Sequence, residues 1–271
     1  MSKPLFIISA PVDTYSGYGA RSRDIVKAII ATDRYDVKLL SQRWGNTRFG
    51  YLGDHSEDDM ISRIIPHVDQ NKQPDYWMQI TVPNEFTKVG KFNIGCTAGM
   101  ETTLVAPSWI EGVNRMDLVL TSSRHSKQVF EATSYETVNK QTNQKGFLKC
   151  ETPVEIVFEG VDIKKYFIKN SELDLSLIKE SFCYLLVGHW MQGDFGEDRK
   201  NVGYTIKTFL ETFKNKKNPP ALILKTSVVN TSVLDRDRIL SRIDSIKNTV
   251  NGRLPNVYLL HGELTDKNMN E

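Results

Sequence analysis

The chain has 271 residues, 39% hydrophobic and 25% charged, with a formal net charge of +2, which suits one large or two modest globular domains and gives no electrostatic reason for a nucleic-acid or anionic-membrane partner. Its three cysteines, Cys96, Cys150 and Cys183, are odd in number and form no C-x-x-C, so a disulfide framework and a cysteine zinc site are both disfavoured and a reducing cytoplasm is the expected home. The first apolar run, Leu5 to Ile8, is too short for a signal peptide or a membrane span.

Apolar runs then alternate with helical patterns along the whole chain. Leu5 to Ser9 reads as a buried strand, Ala20 to Ile30 as a helix with Ile25, Ala28 and Ile29 on one face, and Val37 to Leu40 as a second strand. Asp59 to Ile65 suggests a short helix stopped by Pro66. Tyr76 to Val82 and Asn93 to Thr97 read as strands, the first stopped by Pro83. Pro107 opens a helix carrying Trp109, Ile110 and Val113, since proline fits a first turn. Leu118 to Thr121 is a strand, Ser122 or Ser123 can cap the next helix, and Val154 to Phe158 is again a strand.

A second series follows Tyr166-Phe167. Leu173 to Glu180 looks helical, Phe182 to Val187 is a strand, and Val202 to Phe213 is a helix with Val202, Ile206, Phe209, Leu210 and Phe213 on one face. Ala221 to Leu224 is a strand, Leu234 to Lys247 a helix with Ile239, Ile243 and Ile246 in phase, and Val257 to Leu260 a strand, with a helix starting at Thr265-Asp266. The alternation argues for α/β architecture with parallel sheets covered on both faces and right-handed crossovers. Two series predict two Rossmann-like domains, residues 1–165 and 166–271. The second supplies three strands where a doubly wound sheet holds about five or six. Its C-terminal part is therefore expected to be missing.

Three stretches can carry chemistry. In Val187-Gly188-His189 through Arg199-Lys200-Asn201 a strand feeds a Gly-containing loop that opens a helix, which aims backbone N–H groups and the positive end of the helix dipole at one spot. Arg199 and Lys200 add full charge there, an arrangement that suits a diphosphate; the plain alternative is a solvated basic pair. Ser16-Gly17-Tyr18-Gly19 follows the first strand, but Ser22 stands where a dinucleotide fingerprint has its third glycine, and the second strand ends on Ser41, Gln42 and Arg43 with no acidic ribose ligand. The loop is read either as flexible or as backbone approaching a phosphorylated ligand. Cys96-Thr-Ala-Gly-Met-Glu101 follows the fourth strand, where Glu101 serves as an acid/base group or simply as part of a helix N-cap region. The five histidines lack metal-ligand spacing, and neither a G-x-S-x-G elbow nor a P-loop occurs.

In this order the segments resemble the group 1 (family 4-like) retaining glycosyltransferases of GT-B fold. Ser16-Gly17-Tyr18-Gly19 is similar to their N-terminal glycine loop, and Asp117-Leu118 through Ser123 to a "D-x-V-x-x-P-S" strand end, with Ser122 in place of the proline. Glu159-Gly160-Val161-Asp162 with Tyr166-Phe167 is similar to an "x-G-V-D-x-x-x-F" hinge, and Val187-Gly188 with Arg199-Lys200-Asn201 to a "V-G-R…R-K-N/G" donor-phosphate motif. Leu222 to Lys225 and Val257 to Gly262 resemble the next two strands.

The resemblance implies transfer of a sugar from a nucleotide-sugar donor with retention at the anomeric carbon, without a cofactor or metal. The acceptor could be a glycan, a lipid, a protein or modified nucleic acid. It implies that Lys200 and Arg199 bind the diphosphate with His189 beside them, that Gly17 and Gly19 let backbone approach the donor phosphate, and that Lys225 and Gly262 lie near the nucleotide. Three departures stand against the family pattern. His189 replaces the arginine that follows the strand glycine. No histidine occurs between His67 and His125, which leaves Glu101 as the substitute catalytic group. No E-x7-E segment follows in the second domain. The alternatives are a non-catalytic nucleotide- or sugar-binding module and an NAD(P)-dependent enzyme.

Overall fold

The computed structural model describes residues 2–69, 71–100, 102–138, 143–164, 166–167, 173–190, 197–228, 231–264 and 266–269. The chain divides into two compact units, Met1–Gly160 and Val161–Glu271.

The first unit runs β1 (Leu5–Ala10), α1 (Gly17–Ala31), β2 (Asp36–Ser41), α2 (Tyr51–Asp54), α3 (Asp58–Ser62), β3 (Tyr76–Ile80), a 3-10 turn (Pro83–Glu85), β4 (Phe92–Thr97), α4 (Pro107–Val113), β5 (Leu118–Thr121), α5 (Arg124–Ala132), β6 (Ser134–Val138), β7 (Lys145–Lys149) and β8 (Val154–Ile156). Six strands form one sheet in the order β2-β1-β3-β4-β5-β8, every neighbouring pair parallel. Alternation along β1 sends Ile8 into a core with Val26, Leu39, Leu52 and Ile80, and Ile7 into a second core with Phe86, Ile110, Val119 and Phe130. The sheet is therefore covered on both faces, as the continuous apolar strands demand. Strand order reverses between β1 and β3, and in such sheets the crevice for ligands opens beyond the carboxyl ends at that point.

The second unit runs β9 (Cys183–Val187), α6 (Val202–Phe213), β10 (Ala221–Lys225), α7 (Val233–Lys247), β11 (Val257–Leu259) and α8 (Asp266–Met269). Its three strands pair in parallel in the order β11-β10-β9. Val202, Ile206, Phe209 and Leu210 of α6 and Ile239, Ile243 and Ile246 of α7 bury against Leu222 and Leu224. The opposite face is bare along β9, where Leu185 is 65% and Val187 56% exposed. Among the described residues no helix is long and apolar enough to cross a membrane.

Most sequence-predicted elements occur within a residue or two of their expected limits. Two expectations fail, and one element is unforeseen. Leu173 to Glu180 forms turns, because the Asp174 carboxylate accepts the Ser176 amide and Leu177, 80% exposed, has no face to bury. Ala28 faces solvent, because Ser22 and Val26 occupy the buried side of α1 with Arg21 and Arg23. The β6–β7 hairpin is unforeseen; it pairs Ser134 to Val138 with Lys149 to Lys145, and its strands carry charges and exposed Val138 and Phe147 instead of a clean apolar alternation.

Gly112 fixes how closely α4 approaches the Pro83–Glu85 turn. A Cβ there would lie 1.8 Å from the Pro83 carbonyl oxygen and 2.4 Å from its carbonyl carbon. Backbone cannot yield as a flexible side chain would. Gly112→Ala is expected to destabilise the protein by about 3 kcal/mol, read as a lower urea midpoint; an unchanged midpoint would contradict this packing.

Candidate functional site

In the first unit the segment after β1 is braced from inside. The Arg23 guanidinium, buried in α1, donates to the carbonyls of Val12 and Thr14, at 2.8 Å each, and covers the Tyr51 ring at 3.4 Å. Burial pulls its pKa below the usual guanidinium value, opposed by Tyr51, Asp24 and Glu57. Ser16 caps α1 by accepting the Gly19 amide at 2.9 Å. The two glycines differ. A Cβ on Gly19 would lie 2.3 Å from the Thr14 carbonyl oxygen, so glycine is needed for α1 to sit on its own loop, whereas Gly17 faces open space. Tyr18 ties this turn to the end of β4, its hydroxyl accepting the Ala98 amide at 3.1 Å and lying 3.2 Å from Thr97 Oγ1, while its ring stacks on Trp44 at 3.9 Å. Ser123 caps α5 by accepting the Ser126 amide, and Ser122 donates to the Ala98 carbonyl at 2.8 Å. Glu101 lies outside the described residues.

Below this rim Arg21 donates to the Val157 carbonyl and approaches Glu159 at 3.8 Å. Cys96 is buried beside it. Desolvation pushes the Cys96 thiol up to about 11, with Arg21 pulling the other way. A thiol held protonated is a poor nucleophile.

In the second unit the β9–β10 ladder continues past both strands. The Gly188 amide donates to the Lys225 carbonyl at 3.1 Å and the Trp190 amide to the Ser227 carbonyl at 2.9 Å. Trp190 turns into the core and His189 stays exposed. His189 Nδ1 lies 3.1 Å from Ser227 Oγ. Arg199 and Lys200 are both exposed just before α6, and a Cβ on Gly188 would come 4.0 Å from Lys200 Cγ, so the lysine stem passes the glycine. Lys225 and Gly262 also meet, the Lys225 ammonium donating to the Gly262 carbonyl at 2.5 Å. Burial lowers the Lys225 pKa, opposed by Glu263. Gly17 and Gly19 thus lie in the first unit, and His189, Arg199, Lys200, Lys225 and Gly262 gather at the carboxyl ends of the strands of the second.

The start of α6 corrects one expectation. Asn201, the residue before the helix, has φ 50° and makes no side-chain cap. Asp198, 4% exposed, does so instead: Oδ1 accepts the Lys200 amide at 3.1 Å and Oδ2 the Val202 amide at 2.7 Å. The Val202 amide therefore points at a carboxylate of the protein itself. The positive character of this turn resides in the side chains of Arg199 and Lys200. Asp198 went unnoticed in the sequence because a cap is sought one residue before the helix; the available signal was an acidic residue four positions ahead of Val202.

Asp198→Ala is expected to cost about 1–2 kcal/mol, seen as a lower unfolding midpoint of the second unit; no change would show that the cap contributes nothing. Alkylation of the native protein by iodoacetamide near neutral pH should spare Cys96 and reach it only on unfolding, and rapid native labelling of Cys96 would refute its burial.

No family model matches the chain, and no curated protein matches it. Solved structures similar to it include two whose likeness spans nearly the whole chain. One is an apo structure of OtsA, at 11% identity and TM-score 0.52, the likeness covering 98% of this chain and 75% of that one. The other, described as trehalose-6-phosphate from E. coli bound with UDP-2-fluoro glucose, has 10% identity and TM-score 0.52, the likeness covering 97% of this chain and 75% of that one. At this identity the likeness is one of fold, and the fold is α/β with two successive Rossmann-like units of the GT-B type, the second carrying three strands among the described residues.

Proposed function

We propose that the protein is a retaining glycosyltransferase that moves a sugar from a nucleotide-diphosphate-sugar donor to an acceptor, the donor lying mainly on the second unit and the acceptor on the first. The observation that carries the reading is the meeting of side-chain-free Gly188, exposed His189 and exposed Lys200 where β9 and β10 end. The GT-B-type fold supports it, and a structure sharing that fold was bound with UDP-2-fluoro glucose.

Departure of a nucleoside diphosphate concentrates negative charge on the leaving oxygens. Cations already in place stabilise that charge without reorganising. Lys200 is assigned to the diphosphate, with Arg199 and His189 beside it. Lys225 and Gly262 form the wall on the nucleotide side. Gly17, with open space where a Cβ would stand, and Gly19, which permits the tight turn, are assigned to backbone approach to the donor phosphate. Glu101 is assigned the acid/base role near the acceptor. The reaction so drawn needs no metal ion, because side chains meet the charge.

Lys200→Ala should lower release of nucleoside diphosphate from the accepted sugar nucleotide by about 100-fold while leaving the unfolding midpoint in place, since the side chain is exposed. Unchanged turnover would remove the assigned role. Calorimetric binding of a sugar nucleotide without any turnover would favour a non-catalytic binding module, the second reading, to which a histidine in the place of a permanent cation lends weight.

A further inference from the structure

We infer that His189, oriented by Ser227, is a proton-dependent ligand for the donor diphosphate, so that the site grips a sugar nucleotide more tightly when the imidazole carries its second proton. The inference rests on the reading of the second unit as the donor side.

Three observations place the ring. The extended β9–β10 ladder holds the His189 backbone on both sides, through the amides of Gly188 and Trp190. Trp190 is anchored in the core, with the Arg242 guanidinium 5.4 Å from its ring centroid, so His189 alternates outward. Ser227 Oγ, 3.1 Å away, engages Nδ1 and leaves Nε2 as the nitrogen available to a ligand.

A hydroxyl both donates and accepts. With a neutral ring either partner of this contact can be the donor: the hydroxyl donates to Nδ1 when the ring proton is on Nε2, and Nδ1–H donates to Ser227 Oγ when it is not. With a protonated ring Nδ1–H donates to Ser227 Oγ and Nε2 carries a proton. Protonation therefore makes Nε2 a charged donor while the Ser227 contact, and with it the ring orientation, is kept. A charge-assisted hydrogen bond to a phosphate oxygen is the stronger of the two. Ser227 acts through His189 and is a positioning residue.

The surrounding charges define the sign. Lys200 passes Gly188, and Arg199 and Glu197 are exposed in the same turn. The Asp198 carboxylate is engaged with the amides of Lys200 and Val202. At the end of β10 the Lys225 ammonium is tied to Gly262, with Glu263 following. From α7, Arg242 lies against Trp190, and Asp235 pairs with His261 at 3.4 Å. A bound diphosphate beside Nε2 favours the imidazolium over the neutral ring. Binding is then linked to proton uptake, and affinity rises as pH falls. The diphosphate of a sugar nucleotide is esterified at both ends and has no ionisation near neutrality, so the pH dependence belongs to the protein.

The test is calorimetric titration with UDP-glucose, ADP-glucose and GDP-glucose at about pH 6 and about pH 8, in buffers of different ionisation enthalpy so that proton uptake is read directly. The accepted donor should bind about ten-fold more tightly at the lower pH, with net proton uptake. His189→Arg should bind tightly at both values without proton uptake. Ser227→Ala should shrink the pH difference and Ser227→Thr should restore it. Binding that is independent of pH, or a pH difference that survives in His189→Arg, overturns the inference and leaves the donor-side reading standing. Failure of the native protein to bind any of the three overturns both.

Discussion

Asp198 spans the turn before α6 with two hydrogen bonds, one to the Lys200 amide and one to the Val202 amide. Together they form a cap whose loss is expected to cost about 1–2 kcal/mol. They offset the left-handed conformation of Asn201, φ 50°, which costs about 1–2 kcal/mol for a residue with a side chain and less for asparagine. The carboxylate also meets the positive end of the α6 dipole from within. Cations at a helix start normally work against the dipole; here Asp198 takes that position, and Arg199 and Lys200 are free of the conflict. The buried acid thus allows two bases to sit at the mouth of the β9 loop.

The first unit solves a comparable problem with the opposite charge. The loop after β1 runs through Pro11 to Ser16 before α1 begins, too long to be held by the strand–helix turn alone. Arg23 reaches back from α1 and satisfies the carbonyls of Val12 and Thr14, with Tyr51 closing over the guanidinium. Gly19 lets the helix approach that loop, and Tyr18 fastens the same turn to the end of β4. The result is a fixed rim at the β1–β3 switch point with Gly17 open on its edge. Arg21 and Arg23 are interior struts; burial disfavours the Arg23 charge, and its hydrogen bonds to Val12 and Thr14 retain it.

The sequence makes the alternation of strands and helices legible because long apolar runs and in-phase residues such as Ile239, Ile243 and Ile246 report burial directly. It fails where burial is weak: the β6–β7 hairpin carries Glu136 on one strand and Lys145 and Lys149 on the other with little apolar alternation, and Leu173 to Glu180 has helical composition but nothing to pack on. At the site, residue types at strand ends, Gly188, His189 and Lys200, stand out from the sequence alone. Their supports do not. Asp198, Ser227 and Arg23 act through hydrogen bonds to backbone or side chains that are adjacent only once the ladder extends or the loop folds back. No periodicity marks such contacts.

The charge available to an anion in the second unit is smaller than a count of basic residues suggests. Lys225 is half withdrawn from water, its pKa lowered by burial, and its ammonium is bonded to the Gly262 carbonyl, where the positive φ of Gly262 turns the chain toward it. It closes the wall between the β10 and β11 ends and contributes little field beyond. Arg242 lies against Trp190, and His261 is paired with Asp235. Lys200 and Arg199 are outward cations beside the β9 loop, with the Glu197 carboxylate exposed in the same turn. A group at position 189 adds to that positive charge or does not, which a permanent arginine would fix and a histidine leaves to the proton.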